Sequence, residues 1–131
     1  MAAAYGAPVA VPRPLLVAVG AVAGAGLRWF VGVLLGDLAA LVVVNTPGAL
    51  ALGALLEHEL PEGVRRATES TRLLVGVGFC GALTTFSTLA VDVATRLDDG
   101  RIGTAAAVLG ISLGLGLVAV WTGSRIRRAT A

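Results

Sequence analysis

Gly76-Val77-Gly78-Phe79-Cys80-Gly81-Ala82-Leu83-Thr84-Thr85-Phe86-Ser87-Thr88 lies inside an apolar run covering residues 73–93. A run of that length reads as a membrane-crossing helix, because about 20 apolar residues span a ~30 Å hydrocarbon core. Buried strands are usually only ~4–8 residues long. Three glycines are followed by four hydroxyls within residues 84–88, arranged around one aromatic ring. A hydroxyl at that depth can bond back to the carbonyl four residues earlier and bend its helix. One or two such groups fit that reading; four in five residues fit it less well. The stretch therefore predicts a third helix broken near its centre. A break frees backbone carbonyls, which are tolerated at membrane depth only where a cavity, a protein partner or an ion satisfies them. Carbonyl oxygens suit a hard cation; hydroxyl and amide hydrogens suit a small anion.

Three further apolar runs surround this one, over residues 15–35, 38–56 and 102–121. The expected fold is an all-α membrane protein with four transmembrane helices. Residues 1–14 read as an N-terminal tail, 15–123 as a single transmembrane domain and 124–131 as a basic C-terminal tail. The alternating ~10-residue segments of a membrane β-barrel are missing from the sequence. Gly36-Asp37 is too short to do more than close a tight hairpin. Residues 94–101 close another, and 57–72 form the longest loop, with Pro61, Gly63 and all four glutamates. The tail lacks the basic start of a signal peptide and leads into a full-length span, so it reads as uncleaved. So small a bundle is expected to oligomerise.

The composition agrees. Of 131 residues, 56% are hydrophobic and 14% charged, against about 25% charged in average soluble domains. Disorder is excluded by the hydrophobicity, and a disulfide scaffold by the single cysteine, Cys80. A nucleic-acid partner is excluded because no basic stripe with interleaved aromatics follows a phosphate backbone. All ten basic residues are arginine. Four spans place Arg13, Arg65, Arg66, Arg72, Arg125, Arg127 and Arg128 on one side and only Arg96 and Arg101 on the other. Arginine excess marks the cytoplasmic side. The expectation is a multi-pass protein of the inner (plasma) membrane with both termini in the cytoplasm.

The tenth arginine, Arg28, lies within the first span. Charge at the bilayer centre costs about 2.5–3.5 kcal/mol on insertion scales. Arg28 either snorkels to the interface or faces a water-filled cavity on an anion path. Asn45, near the start of the second span, either bonds across helices, caps a helix entering at Pro47, or presents an N–H donor to a pore. Ser112, in the fourth span, either bonds to its own helix or adds to a polar lining. Cys80 reads as packing, His58 as solvated, Asp92 as interfacial, and Trp29 and Trp121 as interface anchors. Gly20/Gly24, Gly32/Gly36 and Gly110/Gly114 are small-xxx-small faces, suited to internal packing, a subunit interface or a narrow pore wall. Enzymatic readings fail for lack of parts: there is no Walker-type loop, no HExxH and no paired Cys/His spacing. Four-helix multidrug exporters are similar in size, but they use a glutamate in the first span, where this chain has Arg28.

From Val19 to Gly123 the chain resembles the Fluc (CrcB) family of fluoride channels. The resemblance rests on Gly24-Ala25-Gly26-Leu27-Arg28-Trp29, on Asn45-x-x-Gly48 with Gly53, and above all on the stretch from Gly78 to Thr88. It implies a passive fluoride channel built as an antiparallel, dual-topology dimer with two pores. It also implies a structural Na+ at the dimer centre, held by the backbone carbonyls of Gly81 and Thr84. In the fluoride pathway it implies Asn45 as the pore asparagine, Phe86 as the first of two pore phenylalanines and Arg28 at the vestibule. Ser112 matches a polar track, and the hydroxyls of Thr85, Ser87 and Thr88 add donors. Implied partners are fluoride, membrane lipid and a second antiparallel subunit.

Three positions depart from the family pattern. The second phenylalanine is Leu89, the fourth-helix tyrosine is Val108, and the track serine after Ser112 is Gly116. A homodimer with antiparallel subunits needs each chain to insert both ways, yet seven arginines against two give a strong bias. Some family members occur as paired, oppositely oriented chains. This chain is therefore expected to be one half of a heterodimer. The alternative is a non-conducting membrane subunit that pairs with and orients a channel partner.

Overall fold

A computed structural model describes residues 11–56 and 69–130. The first ten residues of the expected tail lie outside the described residues, as does the loop over 57–68 with His58. The helices in chain order are α1 (Arg13–Leu35), α2 (Asp37–Leu56), the π-helical α3 (Arg72–Cys80), the single turn α4 (Gly81–Leu83), α5 (Ser87–Asp98) and α6 (Ile102–Thr130). Four segments are long and apolar enough to cross a membrane: Arg13–Leu35, Asp37–Leu55, Glu69–Asp98 and Ile102–Ile126. The protein is all-helical with four spans, and the third is interrupted between α4 and α5.

Two hairpins turn on glycine. Gly36 has φ 76° and sends its N–H to the Gly32 carbonyl at 2.9 Å. Gly100 has φ 73°, donates to the Leu97 carbonyl, and is followed by Arg101 donating to the Arg96 carbonyl. Left-handed φ is nearly free for glycine and strained for other residues, so each helix pair can reverse without a loop. Asp37 is the first residue of α2, where a carboxylate is favourable against the helix dipole.

The helix ends differ from the sequence expectation. Helix α1 starts at Arg13, with Pro14 in its first turn, where a missing N–H costs little. Pro47 does not begin a helix; it lies inside α2. The cap reading of Asn45 therefore falls. Helix α6 runs to Thr130, so most of the expected tail over 124–131 is helical. Beyond Gly123 no proline or glycine stops it, and arginines near a helix C-terminus are favourable. The Arg125 guanidinium lies 4.8 Å above the Trp121 ring centroid, and Ser124 Oγ donates to the Trp121 carbonyl at 2.8 Å.

Glycines set the packing. Helix α1 lies chiefly on α3 and α4, and α2 chiefly on α6. A Cβ at Gly20 would collide with the Leu74 carbonyl, at Gly24 with the Phe79 carbonyl, and at Gly78 with the Val17 carbonyl. Gly53 and Gly123 do the same for α2 and α6, against the carbonyls of Val120 and Leu50. Such backbone approach recovers van der Waals contact where lipid gives no hydrophobic drive. The three glycine pairs thus separate: Gly20/Gly24 is internal packing, while Gly32/Gly36 and Gly110/Gly114 face open space. The core is small, centred on Leu41, Cys80, Leu83 and Leu89, and most large apolar side chains of α1 and α6 point outward.

Helix α3, which makes these contacts, is wound as a π-helix. Gly81 donates its N–H to Gly76, five residues back. This wider winding is rare over nine residues and is usually found as single turns, often at functional sites. Gly76 and Gly78 are buried here.

Candidate ion pathway at the third-helix break

The break is built by redirecting backbone hydrogen bonds. Thr84 ends α4 in an extended conformation, φ −75° and ψ 149°. Its hydroxyl donates to the Cys80 carbonyl at 2.9 Å, which is the back-bonding expected of a bent helix. Its methyl lies against Gly48 of α2, where a Cβ has no room.

Asn45 then holds the chain open. Its Nδ2 donates to the Thr85 carbonyl at 2.9 Å, and its Oδ1 accepts the Thr85 N–H at 2.7 Å. Of the readings open to Asn45, the interhelical bond is the one formed. An amide carries two N–H donors, so one remains beyond this pair. Because the Thr85 N–H goes to Asn45, the Gly81 carbonyl loses the donor that a continuous helix would supply. The Thr88 N–H goes to Thr85 Oγ1 at 3.2 Å, so the Thr84 carbonyl loses its donor likewise. Gly81 and Thr84 are the residues whose carbonyls the family resemblance assigns to a cation.

Three hydroxyls form a cluster on the far side of the break. Thr85 Oγ1 lies 3.0 Å from Ser87 Oγ and 3.2 Å from Thr88 Oγ1. Thr85 is buried, and its hydroxyl caps the start of α5 through the Thr88 N–H. Four hydroxyls in sequence thus divide into one back-bond and a cluster of three.

Two clefts meet at this cluster. The first, about 410 Å³, holds Arg28, Trp29, Asp37, Thr85 and Thr88 among its lining. The second, about 430 Å³, holds Asp37, Ser87, Thr88, Asp92 and Thr95. Arg28 therefore faces a cleft that contains hydroxyls, as the cavity reading requires. Asp92 lines the second cleft and pairs with Arg96 at 2.7 Å, one helical turn on.

Arg28, Asn45, Thr85, Ser87 and Thr88 are thus brought together within one subunit. Phe86 and Ser112 are not. Phe86 is 69% exposed and stands out from the subunit. Ser112 is half-buried on α6 and lines neither cleft. Leu89, three residues after Phe86, turns the opposite way and is 3% exposed. Sequence reasoning missed Asp37, which lines both clefts. It read as part of a turn, and only its position one turn before Leu41, also shared by both clefts, gave a signal.

Comparison with known proteins agrees with this geometry. Residues 15–124 match the family model for CrcB-like protein, Camphor Resistance (CrcB). The chain is 45% identical over 117 residues to Fluoride-specific ion channel FluC 2 of Synechococcus sp. (strain CC9902), covering 86% of this chain and 81% of the relative. It is 47% identical over 85 residues to Fluoride-specific ion channel FluC 2 of Symbiobacterium thermophilum, covering 65% and 68%. Against Fluoride-specific ion channel FluC of Pseudomonas paraeruginosa it is 40% identical over 105 residues, covering 76% and 81%. These relatives are named as ion channels and not as enzymes. The chain belongs to the CrcB family of multi-pass membrane proteins.

Proposed function

We propose that this chain is a fluoride-specific channel that lets cytoplasmic fluoride leave the cell passively and so relieves its toxicity. One observation carries this reading: the two-bond clamp of Asn45 on Thr85, which holds a helix open beside Arg28 and three hydroxyls. Fluoride is small and strongly hydrated, so its loss of water must be offset by donors. The spare Asn45 N–H and the hydroxyls of Thr85, Ser87 and Thr88 offer them. The Arg28 guanidinium raises the local anion concentration. An aromatic ring has a positive edge, which Phe86 can turn toward an anion.

The protein would act in the inner (plasma) membrane with both termini in the cytoplasm, as its arginine bias supports. It would pair with a second, antiparallel subunit. The outward Phe86 and the open Gly110/Gly114 face support a covering partner. The carbonyls of Gly81 and Thr84 fit a hard cation such as Na+, since such oxygens can replace an ion's hydration shell. Na+ bound there would supply a fixed positive charge and fasten the break. The strong charge bias favours a related chain of opposite orientation over a second copy.

Reconstituted in liposomes, alone and with that chain, the protein should release fluoride on collapse of a potassium gradient, read by a fluoride electrode. Asn45→Ala and Phe86→Ala should each abolish the flux. Silence in both preparations sinks the channel reading. It would favour the second reading, a non-conducting subunit that orients a channel partner. The inward Leu89 supports that reading, as do Val108 and Gly116, which carry no hydroxyl at pathway positions.

A further inference from the structure

The two clefts share Asp37, Leu41 and Thr88. Asp37 and Leu41 are one turn apart on α2, so they form the ridge between the clefts. Their charges differ. The first cleft has both Arg28 and Asp37 in its lining. The second contains two carboxylates, Asp37 and Asp92. The Asp92 carboxylate is neutralised by Arg96, which bonds both of its oxygens at 2.7 and 3.1 Å. Asp37 has no ion-pair partner among the described residues. An unpaired negative charge thus sits where the α1–α2 turn meets the cleft that an anion would use.

We propose that Asp37 is a rate-setting residue of the anion pathway: its carboxylate opposes the field of Arg28 in the cleft and holds down the passage of fluoride. This rests on the fluoride-channel reading above and goes beyond it by assigning a residue that works against conduction. The plain structural role of Asp37 is to start α2, where an acidic side chain favours the helix N-terminus. Asparagine keeps the size and the acceptor oxygen of the side chain and gives up about 0.3–1 kcal/mol of helix-dipole interaction, so Asp37→Asn removes the charge at a small cost to the helix. A unit charge about 10 Å from a passing anion in a watery cleft changes its local concentration about twofold. That effect is screened by salt, because the Debye length falls from about 30 Å at 0.01 M to about 3 Å at 1 M.

The test is the initial rate of fluoride efflux from liposomes carrying the full chain, with its partner chain where flux requires it. Ionic strength is set with the salt of an impermeant organic anion. Asp37→Asn should conduct about one and a half to two times faster than wild type near 0.01 M salt. The gain should vanish near 1 M. Asp98→Asn removes the same charge from the exposed end of α5, outside both clefts, and should match wild type throughout. The proposal is overturned if Asp37→Asn equals wild type at low salt. It is also overturned if its gain persists at high salt, because a persistent gain reports a change at the helix start. A silent wild type overturns the channel reading itself, and that result is visible before any variant is compared.

Discussion

The two arms of the third span are held in different ways. Helix α3 is fixed by backbone against backbone: Gly78 meets the Val17 carbonyl of α1, where no side chain fits. Helix α5 is fixed by side chains: a Thr85 hydroxyl caps it, and an Asp92–Arg96 pair braces its exposed end. Between them, Asn45 clamps the Thr85 backbone. The packed arm has no room for a side chain at Gly78. The polar arm uses its side chains twice, once to hold itself and once to line clefts. Substitutions should therefore divide into a class that unfolds the protein and a class that alters transport while leaving the fold.

Gly78→Val should have the largest effect. Its side chain has to displace α1, and overpacking of this kind costs about 3 kcal/mol or more when the obstacle is backbone. The expected result is loss of the folded peak in detergent gel filtration; a well-folded variant would break the comparison. Asn45→Ala should come next. It leaves the buried Thr85 N–H without an acceptor, at a cost of about 1–3 kcal/mol. Thermal unfolding in detergent should show a lowered midpoint with protein still folded at room temperature, and flux should be lost. Thr85→Val should cost about 1 kcal/mol through the lost cap. It preserves the Asn45 clamp, which uses only the Thr85 main chain. A fold as weakened as that of Asn45→Ala would show that the hydroxyls, not the clamp, hold the break. Asp92→Asn should be the mildest, because an i,i+4 pair at the edge of a cleft contributes little. Its unfolding midpoint should stay close to wild type.

Much of this architecture is readable in the sequence. Four apolar runs give four spans, and Gly36 and Gly100 mark the two hairpins because only glycine turns so tightly. The hydroxyl density from Thr84 to Thr88 locates the break. Other features depend on contacts that a linear pattern does not carry. That α3 winds with five-residue bonds, and that Gly20, Gly24 and Gly78 let α1 approach it backbone to backbone, are seen only in the fold. Pro47 reads as a helix start, yet α2 passes through it, since neighbouring helices tolerate a lost N–H in a membrane span. The opposite directions of Phe86 and Leu89 are set by the rotation of α5 after the break. The family resemblance placed Phe86 on the pathway and marked Leu89 as a departure from it. Asp37 looked like turn punctuation until two clefts were seen to meet at it.

The third span runs for 30 residues, from Glu69 to Asp98, whereas α1 and α2 have 23 and 20. At about 1.5 Å per residue, a straight helix of that length would overshoot a ~30 Å hydrocarbon layer. The surplus is taken up by wide π turns on one side and by an unwound step in the middle. Slack of this kind is what lets the backbone leave helical hydrogen bonding over Thr84 to Phe86 and resume it at Ser87. A shorter third segment, cut to match α1 and α2, would have every peptide group committed to its own helix.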